Sequence, residues 1–301
     1  MNKQSFKFVL TIVLISFLST QLFAVSLDLL HDKKFDVSEG ELLELEISTG
    51  DIIIDSWNEN SVSVKIFGNS KAVDKMEFTL EKTDKGIFVK AKKKGSSWFS
   101  WFSSIKLRCE IKVPAEFNIE SRTSGGDVKI INVEGEIAAK TSGGDISLND
   151  NIGNLLAKTS GGDVVLKNHF GYAELKTSGG DIEVIDAEGN LDANTSGGDI
   201  KVKASNGKIY AGTSGGDVMV YYNGANEGIK LRSSGGSILV KLPENFSADV
   251  YLSTSGGDVE VNYPAQSSSK IKSGKYEGTF NGGGNELDCR TSGGDITVRS
   301  L

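Results

Sequence analysis

Proline is nearly missing from this chain, at 3 of 301 residues, and cysteine is rarer still, at 2. Histidine also occurs only twice, and aromatic residues reach 8%. Two cysteines cannot build a disulfide-stapled scaffold, and a chain of this length can bury a core without one. The shortage of proline, beside 36 glycines, excludes collagen, which needs both in quantity, and a proline-rich linker. Positive charge is outnumbered: 33 Lys and Arg face 40 Asp and Glu, a net −7. That balance speaks against nucleic acid as a partner, for which a clustered basic face is expected.

What is present begins with a leader. A short basic start, MNKQSFK, precedes the apolar run FVLTIVLISFL from Phe8 to Leu18 and a small residue at Ala24. This order reads as a secretory signal peptide, residues 1–24. The run is shorter than the roughly 18–20 residues that cross a bilayer. An uncleaved anchor is the rival, and Leu22 weakens the cleavage site. No cysteine stands near the break, so no lipid anchor is expected, and no later stretch is apolar enough to span a membrane. The expectation is an exported protein: periplasmic, on the cell surface or secreted.

A repeat organises most of the remainder. Thr-Ser-Gly-Gly-Asp begins at Thr123, Thr141, Thr159, Thr177, Thr195, Thr213, Thr254 and Thr291, with the variant SSGGS at Ser233. The first five intervals are all 18 residues, and a second glycine recurs in step at Gly135, Gly153, Gly171, Gly189 and Gly207. Lys272-Ser273-Gly274 reads as a worn copy that divides the last long interval. Between corners the apolar residues alternate, as in Leu155/Ala157 before Thr159 and Val128/Ile130 after Asp127. Period-two alternation rich in β-branched residues means strands with one buried face. One unit is therefore two short strands and two corners.

A meander of such strands would leave a long apolar face uncovered, and no helical segment is available to cover it. A solenoid closes each coil on itself. The predicted fold is all-β, a single-chain β-solenoid (β-helix) of about 18 residues per coil with an irregular N-terminal β section. Three segments follow: the signal peptide 1–24, a β-rich capping section 25–114, and the regular solenoid 115–301. Nine steps from Thr123 to Thr291 would span about 43 Å at the usual strand spacing. Within the N-terminal section, Leu43, Leu45 and Ile47 lead into Thr49-Gly50-Asp51, a shortened corner. KVPAEFNIES, from Lys112, echoes KLPENFSADV, from Lys241; this is a duplication or a recurring cap-like turn.

ELEISTGDIIIDSW, KLRCEIKVPAEFNIESRTSGGDV and the serial TSGGDI/V copies resemble the bacterial putative-adhesin family, also called toastrack. The resemblance covers roughly residues 35–301. It implies a β-helical envelope protein, sometimes placed in adhesion or envelope-stress settings, and it carries over no catalytic residue. SSGGS at Ser233 departs by losing the Asp.

The structural corner comprises Thr123, Gly125 and Gly126; Thr141, Gly143 and Gly144; Thr159, Gly161 and Gly162; Thr177, Gly179 and Gly180; Thr195, Gly197 and Gly198. Stacking places Thr over Thr and Gly over Gly, so hydroxyls can form ladders and nothing larger fits. Asp127, Asp145, Asp163, Asp181, Asp199 and Asp217 stack as well, at a cost of about 0.9 kcal/mol per neighbouring pair in water. An Asp accepting a backbone N–H within its own turn would offset that. The same column is a weak calcium candidate, since calcium wants six to eight oxygens and a Gly-rich nonapeptide solenoid binds it between turns. No other cofactor is expected.

Glycoside cleavage needs two carboxylates in distinct surroundings, which a ladder of equivalent aspartates does not offer, so no catalytic residue is assigned. His169, in VLKNHFG, reads as a solvent-facing turn residue. Cys109 and Cys289 alternate with apolar residues and read as buried free thiols.

One segment breaks composition. Lys92, Lys93 and Lys94 precede Trp98, Phe99, Trp101 and Phe102. Basic residues beside aromatics suit an anionic membrane surface, an envelope polymer or a partner protein; the alternative is a plug for the open solenoid end. Six tyrosines, Tyr210, Tyr221, Tyr222, Tyr251, Tyr263 and Tyr276, crowd the C-terminal half, a hint of sugar or partner contact. The functional expectation is an exported, non-enzymatic, adhesin-like display protein. A periplasmic scaffold or sensor in envelope stress comes second and a polysaccharide-acting enzyme third; the partner is an envelope polymer, carbohydrate or protein.

Overall fold

A computed structural model describes residues 27–95, 104–264, 266–272 and 274–301. The expected signal peptide, residues 1–24, and Trp98, Phe99, Trp101 and Phe102 lie outside the described residues. Each 18-residue unit folds as expected: a short strand, the Thr-Ser-Gly-Gly-Asp corner, a second strand and a return turn. Strands before the corner join one sheet of 14 strands, and strands after it join a facing sheet of 13; we call these the leading and trailing sheets. Neighbouring coils pair in parallel and in register, for example Ile137 with Leu155 and Ala139 with Ala157 on the leading sheet, and Ile146 with Val164 on the trailing sheet. Inward residues are buried while their neighbours face out: along Ile137–Lys140, Ile137 and Ala139 are buried and Ala138 and Lys140 are partly exposed. β-Branched side chains dominate the inward rows because they fit a pleated surface packed on one side.

Among the described residues, setting aside the antiparallel strands at the ends, eleven parallel strands remain in each sheet and make eleven coils. Coils 3 to 9 follow the chain, from Asn118–Thr123 with Val128–Ile131 up to Ile229–Arg232 with Ile238–Leu242. The ends do not. Coil 1 is Gly86–Lys93 with Leu107–Pro114, and the earlier segment Leu42–Ile47 with Asp51–Trp57 lies inside it as coil 2. At the other end coil 11 is Ala248–Thr254 with Val259–Asn262. The last segment, Glu286–Thr291 with Ile296–Ser300, slides between coils 9 and 11 as coil 10.

Thr123 and Thr291 are therefore seven steps apart, about 34 Å, rather than nine. Lys272 and Gly274 belong to the turn of an antiparallel hairpin, Gln266–Lys272 with Lys275–Phe280, and not to a worn coil. Chain order and stack order differ because the C-terminal hairpin returns the chain to a slot left open.

The two Pro-x-x-Phe segments mark the places where the chain steps over an inserted coil. Pro114 to Phe117 leads from coil 1 to coil 3, and Pro243 to Phe246 leads from coil 9 to coil 11. Phe117 and Phe246 are both buried, so each fills the corner beneath the longer step. The echo is a recurring turn.

Antiparallel strands close both ends. Ser61–Gly68 and then Asp28–Asp36 cover the trailing strand of coil 1, and Met76–Thr83 covers its leading strand. The helix Ser70–Lys75 bridges them, capped by Asn69, whose Oδ1 accepts the Ala72 N–H. At the far end the plug is aromatic: Tyr263 stacks on Phe280 at 4.3 Å, with Tyr276 and Phe246 beside them. Tyr222, Tyr263 and Tyr276 are core residues. Tyr210 and Tyr251 face outward, in the phase their strands dictate.

Candidate functional site

The corner is a ridge built of two ladders. Each Thr hydroxyl donates to the carbonyl of the second glycine one coil earlier: Thr141 to Gly126 at 3.0 Å, Thr159 to Gly144 at 2.9 Å, Thr177 to Gly162 at 2.8 Å, Thr195 to Gly180 at 2.9 Å. Thr123 reaches Gly50 of coil 2 in the same way, at 3.1 Å. The ladder runs from hydroxyl to backbone, not from hydroxyl to hydroxyl. The second glycine is fixed by contact, since a Cβ on Gly162 would lie 2.1 Å from the Gly144 carbonyl oxygen. The first glycine is not: a Cβ on Gly125 meets nothing within 4 Å, and those on Gly143, Gly161 and Gly179 meet only ordinary contacts. A larger side chain therefore fits half of the corner.

The aspartates form the second ladder, and it joins coils. Asp127 Oδ1 accepts the backbone N–H of Asp145 at 2.9 Å, and Asp145 to Asp163, Asp163 to Asp181, Asp181 to Asp199 and Asp199 to Asp217 repeat this at 2.8 Å. The acceptance comes from the next coil rather than from within the turn as the sequence suggested. A hydrogen bond to a charged group contributes about 1.5–3 kcal/mol, which exceeds the mutual repulsion of the row. Ser237 takes the Asp place in coil 9 and keeps the ladder: its N–H donates to Asp217 Oδ1 and its Oγ accepts from Asp295. Among the described residues, no group of three or more His, Cys, Asp or Glu is placed to hold a metal ion. The carboxylate oxygen facing the next coil is already engaged.

The other titratable candidates are interior. His169 is buried, contrary to the solvent-facing turn expected, and its Nδ1 lies 2.9 Å from the Asn151 carbonyl. Burial holds its pKa below the ordinary imidazole value, and among the described residues Nε2 has no hydrogen-bonding partner. Asn151, buried beneath it in the stack, accepts from Val133 N–H and donates to the Ile130 carbonyl. The apolar phase of the return turn could have revealed this column, since Val133, Asn151, His169 and Ala187 recur every 18 residues. Cys109 and Cys289 are free and buried. Burial pushes the Cys109 thiol up to about 12 and raises Cys289 as well, so neither is a thiolate nucleophile at neutral pH.

Matched against family models, residues 41–299 fit the family described as Toastrack DUF4097. The chain belongs to the Toastrack family. No curated protein matches it. Among solved structures the Toastrack chain is similar to a "putative adhesin" from Bacteroides fragilis, at 18% identity over 70% of this chain and 96% of that one, TM-score 0.43. It is also similar to a "putative adhesin" from Parabacteroides distasonis, at 12% identity over 90% and 96%, TM-score 0.33. A third is a "putative cell adhesion protein" from Clostridium sporogenes, at 14% identity over 90% and 99%, TM-score 0.22.

On the Toastrack framework the leading strand of coil 1 ends at Lys93 and its trailing strand begins at Leu107. Lys94 N–H donates to Lys75 O at the end of the helix at 2.8 Å, while the helix cap Asn69 donates through Nδ2 to Ser104 O at 2.9 Å. Lys92, Lys93 and Lys94 are exposed. A groove of about 490 Å³ beside them is lined by Lys90, Lys92, Arg122, Lys140, Ser124 and Ser142.

The outer face of the leading sheet carries rows the sequence reading did not single out. The residue before each corner Thr is a cation in four successive coils, Arg122, Lys140, Lys158 and Lys176, paired in register. Toward the return turn, Ile152, Phe170 and Tyr172 are exposed at 46%, 58% and 39%. These outward residues were legible as the polar phase of each strand, but their summation into rows depends on stack order. A second missed row is Asn132, Asp150, Asn168 and Asp186, all at positive φ in the return turn. Asn and Asp tolerate that backbone better than other side chains, and Asn168 Nδ2 donates to Asp150 Oδ1 at 2.9 Å.

Proposed function

We propose that this Toastrack chain is an exported, non-enzymatic, adhesin-like solenoid that binds an envelope polymer, a surface or a partner protein through its repeated outer rows. The observation that carries the reading is the register: coil after coil places like side chains one strand spacing apart on a frame held by two ladders. Such a frame loses little conformational freedom on binding, which favours many weak contacts acting together. The leader supports export. The corner aspartates repeat one environment, which suits display better than acid–base chemistry, where paired groups need distinct surroundings.

A periplasmic scaffold or sensor is the second reading, favoured by the exposed Lys92, Lys93 and Lys94 at coil 1, one end of the stack. Co-sedimentation of the purified chain with isolated envelopes tests the first. Saturable binding that weakens stepwise as coils are deleted is the expected result, and no sedimentation above a control protein overturns it. Protease shaving of intact cells separates the readings, since digestion before permeabilisation favours surface display and protection favours the scaffold.

A further inference from the structure

The 18-residue period lapses beside the inserted coil 10. Thr213 to Ser233 spans 20 residues and Ser233 to Thr254 spans 21, against 18 from Thr195 to Thr213. The surplus falls in two return turns, residues 223–228 after coil 8 and residues 243–247 where the chain steps over coil 10. Together with Gly284 and Asn285, at the entry to coil 10, these turns enclose a cavity of about 570 Å³, a volume within the range of small-ligand pockets.

The walls of this cavity carry no charged residue, in a chain where 24% of residues are charged. Four asparagines line it instead, Asn223, Asn226, Asn245 and Asn285. Two of them are its frame. Asn226 Nδ2 donates to Ser247 O at 2.8 Å and to Asn285 O at 2.5 Å, and Asn285 Nδ2 donates back to Asn226 O at 2.7 Å. The second turn is held from behind by Asn281, whose Nδ2 donates to the carbonyls of Glu244 and Phe246. The three segments are thus joined before any ligand arrives, which lowers the ordering cost of binding. The side-chain amides of the other two, Asn223 and Asn245, are exposed and bond to nothing among the described residues. Each offers two N–H donors and a carbonyl acceptor. Ala225, Pro243 and the buried Phe246 supply the apolar part of the lining.

We propose that this cavity binds a neutral saccharide, a short stretch of an uncharged glycan. The inference goes beyond the display reading, because it needs one cavity and none of the repeated rows. Sugar hydroxyls each donate and accept, as the free amides do, and the C–H face of a ring can lie on Ala225 and Pro243. Glu227, Glu244 and Glu286 flank the lining segments without lining the cavity, so a carboxylated or phosphorylated sugar would be repelled. An extended peptide adds to an unpaired strand edge, whereas the strands entering and leaving these turns are paired on both sides.

The test is calorimetric titration of the purified chain with four uncharged trisaccharides: maltotriose, cellotriose, mannotriose and N-acetylchitotriose. Trigalacturonate and the deacetylated chitosan trimer serve as anionic and cationic controls. At least one uncharged trisaccharide should bind saturably at one site per chain, and both controls should bind about tenfold more weakly or worse. For that sugar, Asn223→Asp and Asn245→Asp, which replace amide donors by an acceptor of the same shape, should each weaken binding about tenfold. Ala225→Trp should fill the cavity and abolish binding. All three side chains are exposed, so melting temperatures should not move. Lys158→Gln, on the face of coil 5, should bind as the parent does. Failure of every uncharged trisaccharide, equal binding of a charged control, or cavity variants that bind as the parent does overturns the proposal. If no trisaccharide binds while the chain still sediments with envelopes, the cavity assignment fails alone and the display reading stands.

Discussion

The two glycines of each corner look alike in the chain and differ completely in the stack. Gly162 sits against the Gly144 backbone with no room for a methyl group, whereas Gly161 meets nothing nearer than 3.7 Å. Gly161→Ala should change stability by no more than about 0.5 kcal/mol. Gly162→Ala should cost about 3 kcal/mol, because the obstacle is backbone and cannot swing aside. Paired urea titrations check this, and equal effects would contradict the contact account. The repeat revealed that glycine is required at the corner but not which one, since close approach depends on the coil below.

His169 is the second residue whose role is set by neighbours beyond the local sequence. Buried against the Asn151 carbonyl, it resists protonation that the unfolded chain accepts near pH 6.5. Where the unfolded state binds more protons, stability rises with pH, so the protein should weaken as pH falls from about 7 to 5. His31, partly buried and also lowered, adds a slope of the same sign. His169→Ala, which installs the residue that its partner Ala187 supplies in the next coil, should flatten that slope whatever it does to stability at pH 8. An unchanged pH dependence would assign the effect elsewhere.

At the scale of the element the unit is the coil, and its period is what the sequence displayed most openly. Alternation at Leu155/Ala157 and Ile182/Val184 located the strands, and the Thr-Ser-Gly-Gly-Asp string located the corner, because both are local. The two ladders were half visible: the stacking of like residues followed from period, but the partner of each Asp did not, since turn and neighbouring coil both offer an N–H. If coils are interchangeable, removing residues 177–194 should join Lys176 to Thr195 and leave every ladder closed. Stability in such stacks is nearly a sum of units and nearest-neighbour interfaces. The shortened chain should keep its β circular dichroism and melt in one transition. Removing residues 177–185, half a coil, should leave an aggregating product, because a leading-sheet strand would follow another without a corner.

The whole molecule holds its ends by interleaving, which no local pattern announces. Coil 2 and coil 10 each lie between neighbours supplied by other parts of the chain, so neither end of the parallel stack can peel away one strand at a time. Coil 10 is further clamped by Asp288, which is buried and paired with both Arg232 of coil 9 and its own Arg290. A buried carboxylate with two guanidinium partners is expensive to leave uncompensated, so the clamp resists any partial withdrawal of the last segment. Removing residues 286–301 takes away the coil that joins coil 9 to coil 11 and leaves the strand Ala248–Thr254 with only its antiparallel hairpin. Limited thermolysin digestion of that truncated chain, followed by mass spectrometry, should release residues 244–285 early and spare 27–242. Asp288→Ala in the full chain should yield the same fragments more slowly. Protection of 244–285 in the truncated chain would mean that the aromatic plug, and not the inserted coil, secures this end.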